Sequence, residues 1–121
     1  MFALAFGVVY VLVGILGFIG PLAPNSNLLG IFGINTLHNI VHLLVGAVFL
    51  IGSTSATNAK LVNLVVGVVY LLLGLLGFTT FLNTVINVHN NGPDVVLHLV
   101  TGAVALYFGT VGAGVPRAAR A

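Results

Sequence analysis

Residues 7–18 read GVVYVLVGILGF, and residues 67–78 read GVVYLLLGLLGF, with only conservative aliphatic exchanges between them. A second pair follows the first, HLLVGAVFL at 42–50 and HLVTGAVAL at 98–106. The repeated unit is therefore two long apolar segments and the loop that joins them, and such a period predicts one helical hairpin used twice. The expected fold class is an all-α membrane protein, a four-transmembrane-helix bundle. Its two tandem helical-hairpin repeats, 1–52 and 61–114, are expected to be related by a pseudo-two-fold axis along the membrane normal.

Composition points the same way. Of 121 residues, 60% are hydrophobic and 3% are charged, with a mean hydropathy of +1.26, whereas a soluble domain carries about 25% charged residues. Such a chain cannot clothe a water-facing surface, so the lipid bilayer is its expected solvent. Lys60, Arg117 and Arg120 stand against the single acid Asp94. That is too little positive charge to track a phosphate backbone, and nucleic acid is not an expected partner. The absence of cysteine excludes disulfides, thiolate catalysis and cysteine-ligated metal.

Crossing about 30 Å of hydrocarbon takes about 20 apolar residues. Four segments qualify, expected at about residues 2–20, 37–51, 61–82 and 95–113. Pro21 stops the first. Thr36 and Asp94 are placed to cap the second and fourth, and Gly114 and Pro116 close the fourth. The first segment lacks a basic flank and an A-x-A site, so it is expected to be a retained span rather than a signal peptide. With four spans, both termini and the loop carrying Lys60 share one side, which the positive-inside rule makes cytoplasmic.

Small and polar residues mark the faces that meet protein. Gly7, Tyr10, Gly14 and Gly17 form a stripe in the first segment, as do Asn63, Gly67, Tyr70, Gly74 and Gly77 in the third. Lipid tails give helices no hydrophobic reason to associate, so close approach at small residues is expected to hold them together. Tyr10 and Tyr70 read as packing aromatics.

The residues that could carry chemistry are His38, His42, Asp94 and His98. His38 and His42 are four apart, as are Asp94 and His98, so each pair shares a helix face. Facing each other, three imidazoles and a carboxylate would suit a divalent metal such as zinc. His42 and His98 alone, one per repeat, could instead hold haem iron or the magnesium of chlorophyll-type pigments in an apolar slot beside Gly46 and Gly102. Structural hydrogen bonding to Asn35, Asn39, Tyr10 or Thr101 competes with ligation, as does proton handling. No enzyme is expected, since Asp94 has no second acid and no Ser-His-Asp set exists.

The repeated GVVY segments, residues 28–50 and the later VVLHLVTGAVAL together resemble a family of small four-span bacterial membrane proteins classed as a domain of unknown function. The most specific part is G-I-F-x-x-N-x-x-H-N-x-x-H over residues 30–42. The resemblance implies the four-helix architecture and a bacterial plasma-membrane or thylakoid location, and it implies no activity. The expected role is an accessory or structural subunit beside other membrane subunits or further copies of itself. The alternative is a metal-, haem- or chlorophyll-binding protein built on the histidines.

Overall fold

The computed structural model describes residues 2–110, which are mostly helical. The expectations at Gly114, Pro116, Arg117 and Arg120, and the expected end of the fourth segment at residue 113, lie outside the described residues. Helix α1 spans Phe2–Leu16 and stops a turn short of residue 20. The N–H groups of Phe18 and Ile19 bond to Ile15 and Leu16, three residues back, at 3.1 and 3.0 Å. The last turn therefore tightens into 3-10 geometry before Pro21, which has no N–H to donate.

Two single 3-10 turns, Gly20–Leu22 and Pro24–Ser26, lead into an antiparallel ribbon of β1, Asn27–Leu28, and β2, Phe32–Gly33. Leu29 and Gly30 make its turn with φ of 54° and 74°. Positive φ at both central residues matches the twist of a hairpin. Leucine seldom takes that conformation, so the pattern around Leu29 gave no hint of a ribbon.

Helix α2 spans Thr36–Gly52. Its cap is Asn35 rather than Thr36, because Asn35 Oδ1 accepts the His38 N–H at 2.8 Å. Helix α3, Ala56–Leu76, begins earlier than residue 61, where Ser55 Oγ accepts the Asn58 N–H at 3.1 Å. It also ends before residue 82, and Phe81–Thr84 forms a separate single turn, α4. Helix α5 spans Gly92–Thr110. Asn91, not Asp94, caps it: Asn91 Oδ1 accepts the Asp94 N–H at 3.1 Å while Asp94 Oδ2 accepts the Asn91 N–H at 2.9 Å. That reciprocal pair is a capping box with aspartate in the glutamate position.

Helix α1 packs on α2, α3 packs on α5, and α2 also runs along α3. The pairs close at glycines. A Cβ at Gly7 would stand 2.7 Å from Leu50, and one at Gly67 would stand 2.6 Å from the Leu106 backbone nitrogen. Gly14 meets Leu43 as Gly74 meets Leu99. Corresponding positions of the two sequence copies thus touch corresponding partners.

The two halves clasp each other at the end where α2 and α5 begin. Asn35 Nδ2 donates to the Asn87 carbonyl and Asn91 Nδ2 donates to the Ile31 carbonyl, each at 2.8 Å. Each cap residue so reaches the loop of the other half. The opposite end is closed by rings: Phe2 stacks on Phe6 at 4.2 Å and on Phe108 at 5.0 Å, over the fully buried Phe49. Helices α3 and α5 are long and apolar enough to cross a membrane, while α1 and α2 are shorter apolar helices.

Candidate functional site

His38 lies in the first turn of α2, with His42 one turn further along. His42 and His98 are each the seventh residue of their helices, about 9 Å below the helix start at 1.5 Å per residue. The three imidazoles meet between α2 and α5. One ring nitrogen from each of His38, His42 and His98 lies within 4.8 Å of the others. All three residues are buried, at 2%, 2% and 4% exposure.

Hydrogen bonds define how the cluster is presented. His38 Nδ1 lies 2.8 Å from the His89 carbonyl, and a carbonyl can only accept. Nδ1 therefore carries the proton, and Nε2 is left with the free lone pair. A backbone carbonyl behind an imidazole is one of the ways a metal-ligating histidine is oriented. His42 has no hydrogen-bond partner on either ring nitrogen, and His98 has none on Nδ1, among the described residues.

Tyrosines buttress the cluster without bonding to it. Tyr10 meets His42 at 5.4 Å between ring centroids, and Tyr70 meets His98 at 5.3 Å. The Tyr10 hydroxyl donates instead to Thr101 Oγ1 at 3.3 Å. Of the partners anticipated for structural hydrogen bonding, Asn35 receives the His38 backbone N–H, and none bonds to the His42 ring. A buried polar atom left unpaired costs about 1–3 kcal/mol.

The structure does not bring Asp94 into the group of three. The carboxylate is held at the α5 cap by Asn91 N–H, beside Gly33 and the His89 ring. Its other oxygen, Oδ1, is buried without a partner among the described residues. The reason is the capping box: with Asn91 at the cap, Asp94 turns back toward the helix start instead of across to α2.

A cavity of about 120 Å³ adjoins the histidines, lined further by Tyr70 and by aliphatic side chains such as Leu73, Leu82 and Ile86. A small-molecule pocket takes about 300–1,000 Å³, whereas one water occupies about 30 Å³ of liquid. An ion with a few waters fits this space, and a tetrapyrrole does not. The slot anticipated beside Gly46 and Gly102 is filled by helix packing, since a Cβ there would stand 2.6 Å from Val11 and 2.7 Å from Leu71.

Sequence reasoning missed the His89 carbonyl and the aliphatic lining from Leu82 and Ile86 in and after α4. A backbone acceptor leaves no side-chain signature, and α4 was absorbed into the third helix. The tyrosine contacts had a signal, because Tyr10 and His42 are matched by Tyr70 and His98 in the second copy.

Tetrahedral metal–nitrogen bonds of about 2.0–2.1 Å place ligand nitrogens about 3.3 Å apart. No curated protein and no solved structure matches the chain. A family model described as a domain of unknown function, DUF4383, matches residues 1–111, and the chain belongs to that family.

Proposed function

We propose that this chain is a four-span membrane protein that holds one transition-metal ion on His38, His42 and His98, close to the non-cytosolic face. The observation that carries the reading is the convergence of three buried imidazoles while both nitrogens of His42 lack a protein partner. Imidazole suits zinc, copper, iron and nickel, and ionisable residues at membrane depth mark function by default.

Several observations support four spans. Apolar side chains such as Leu12, Leu44, Leu72 and Val100 are exposed on α1, α2, α3 and α5 alike. Exposed apolar surface on every long helix calls for lipid, not water. Helix α1 at 15 residues gains a further turn from its 3-10 extension, and α2 has 17. Matching glycine contacts in the two hairpins support a pseudo-two-fold relation along the membrane normal. Lys60 lies near the start of α3, at the end of the bundle away from the histidines, and by the positive-inside rule this supports a non-cytosolic histidine end.

The phenylalanine cluster closes the cytoplasmic end. Metal would therefore enter and leave from one side only, which makes the protein a binding or sensing device rather than a conduit. The test is metal analysis of the detergent-purified chain beside a His42→Leu/His98→Leu variant. About one ion per wild-type chain, lost in a variant that keeps its helical circular dichroism and elution volume, supports ligation there. Equal metal in both proteins refutes it.

The accessory-subunit reading rests on the same apolar shell, which neighbouring helices could cover as well as lipid. Co-purification of further integral subunits in mild detergent supports it, and recovery of a lone protomer counts against it.

A further inference from the structure

The charge of the site selects among the metals. This inference rests on the metal-binding reading above and narrows it. A metal held by His38, His42 and His98 receives no anionic ligand, because imidazoles ligate in their neutral form. The chain has no cysteine, and its one acid is Asp94, which stands outside the three-histidine group. The available compensation is thus a single negative charge, one helical turn from His98, with its Oδ1 buried and unpartnered among the described residues.

From this we infer that the site is selective for a monovalent soft cation, cuprous ion, over divalent zinc. Two observations carry the argument. The first is charge: the cost of burying an ion rises with the square of its charge, so a divalent ion costs about four times as much as a monovalent one. One cuprous ion and one carboxylate balance. A zinc ion leaves a net positive charge among buried apolar side chains.

The second observation is coordination number. Structural zinc sites are closed by four ligands, and catalytic ones place water in the fourth position. Here the cavity beside the imidazoles is lined by aliphatic side chains such as Leu73, Leu82 and Ile86, with Tyr70 the one further polar side chain in its lining, so a bound water or hydroxide would find few partners to orient it. Cuprous ion, with its single charge, accepts two or three imidazoles without a further ligand.

The experiment is a competition on the full chain in detergent, under anaerobic reducing conditions. Equimolar cuprous acetonitrile complex and zinc sulfate are added, unbound metal is removed by gel filtration, and bound metal is counted by mass spectrometry. Copper at about one ion per chain with zinc at least tenfold lower, both lost in the His42→Leu/His98→Leu variant, supports the inference. Zinc bound at a level equal to or above copper, and lost in that variant, overturns the cuprous preference while leaving the metal site standing. Retention of neither ion by the wild-type chain, or equal retention by the variant, overturns the metal-binding reading itself. A copper K-edge spectrum of the loaded protein gives an independent check. A low-coordinate cuprous signature with nitrogen ligands supports the assignment, and a four-coordinate one refutes it.

Discussion

Replacing His42 by leucine should change stability in opposite directions with and without metal. In the metal-free chain the His42 ring is 2% exposed and neither of its nitrogens has a hydrogen-bond partner among the described residues. Each unpaired buried polar atom costs about 1–3 kcal/mol, and part of that is recovered when an apolar side chain of similar size takes the place. Allowing for imperfect packing of leucine against Tyr10 and His38, the metal-free His42→Leu chain should be about 1 kcal/mol more stable than the metal-free wild type. Loading reverses the order. At about 100 times its dissociation constant a ligand adds about 2.7 kcal/mol, which the wild type gains and the variant does not. The assay is reversible denaturation in mixed micelles with chelator and then with metal, followed by helical circular dichroism. Loss of about 2 kcal/mol or more in the chelated variant would refute the reasoning, because it would mean the imidazole makes stabilising hydrogen bonds within the protein.

Other substitutions separate architecture from site. Asn35→Ala removes both the α2 cap and the crossed bond to Asn87, and should cost about 2 kcal/mol in the same denaturation assay. Because the cap fixes the turn that carries His38, metal affinity measured by chelator competition should fall as well. Gly67→Ala places a Cβ 2.6 Å from the Leu106 backbone nitrogen, which pushes α3 off α5 and should cost about 2 kcal/mol or more. Gly20→Ala, with nothing within 4 Å of the added carbon, is the matched control and should stay within about 0.5 kcal/mol. Phe49→Ala empties the centre of the aromatic cluster and should cost about 3–5 kcal/mol. Its metal stoichiometry, measured on the folded fraction, should be unchanged.

Much of the site was legible because the information is local. His38 and His42 share a helix face through their spacing alone, and the matching positions of His42 and His98 in the two copies put both at one level. The capping residues were misread by a few positions for a physical reason. Asn35 and Thr36 are both good caps, as are Asn91 and Asp94, and the preferred partner depends on where the arriving loop leaves the chain. That choice was made by the crossed bonds from Asn35 to Asn87 and from Asn91 to Ile31, which join residues far apart in sequence. Once Asn91 takes the cap, Asp94 is committed to the reciprocal bond and cannot also face the imidazoles.

By itself the sequence determined the apolar helices, the glycine-lined faces on which they pair, and the histidines that face inward. These follow from hydropathy, side-chain size and helical periodicity, which act over a few residues. Only the tertiary structure decided that three imidazoles and not Asp94 converge, that the His89 carbonyl holds His38, and that the adjoining space is too small for a macrocycle. Those outcomes depend on how the two hairpins dock and on backbone atoms, which every residue possesses and no residue type announces.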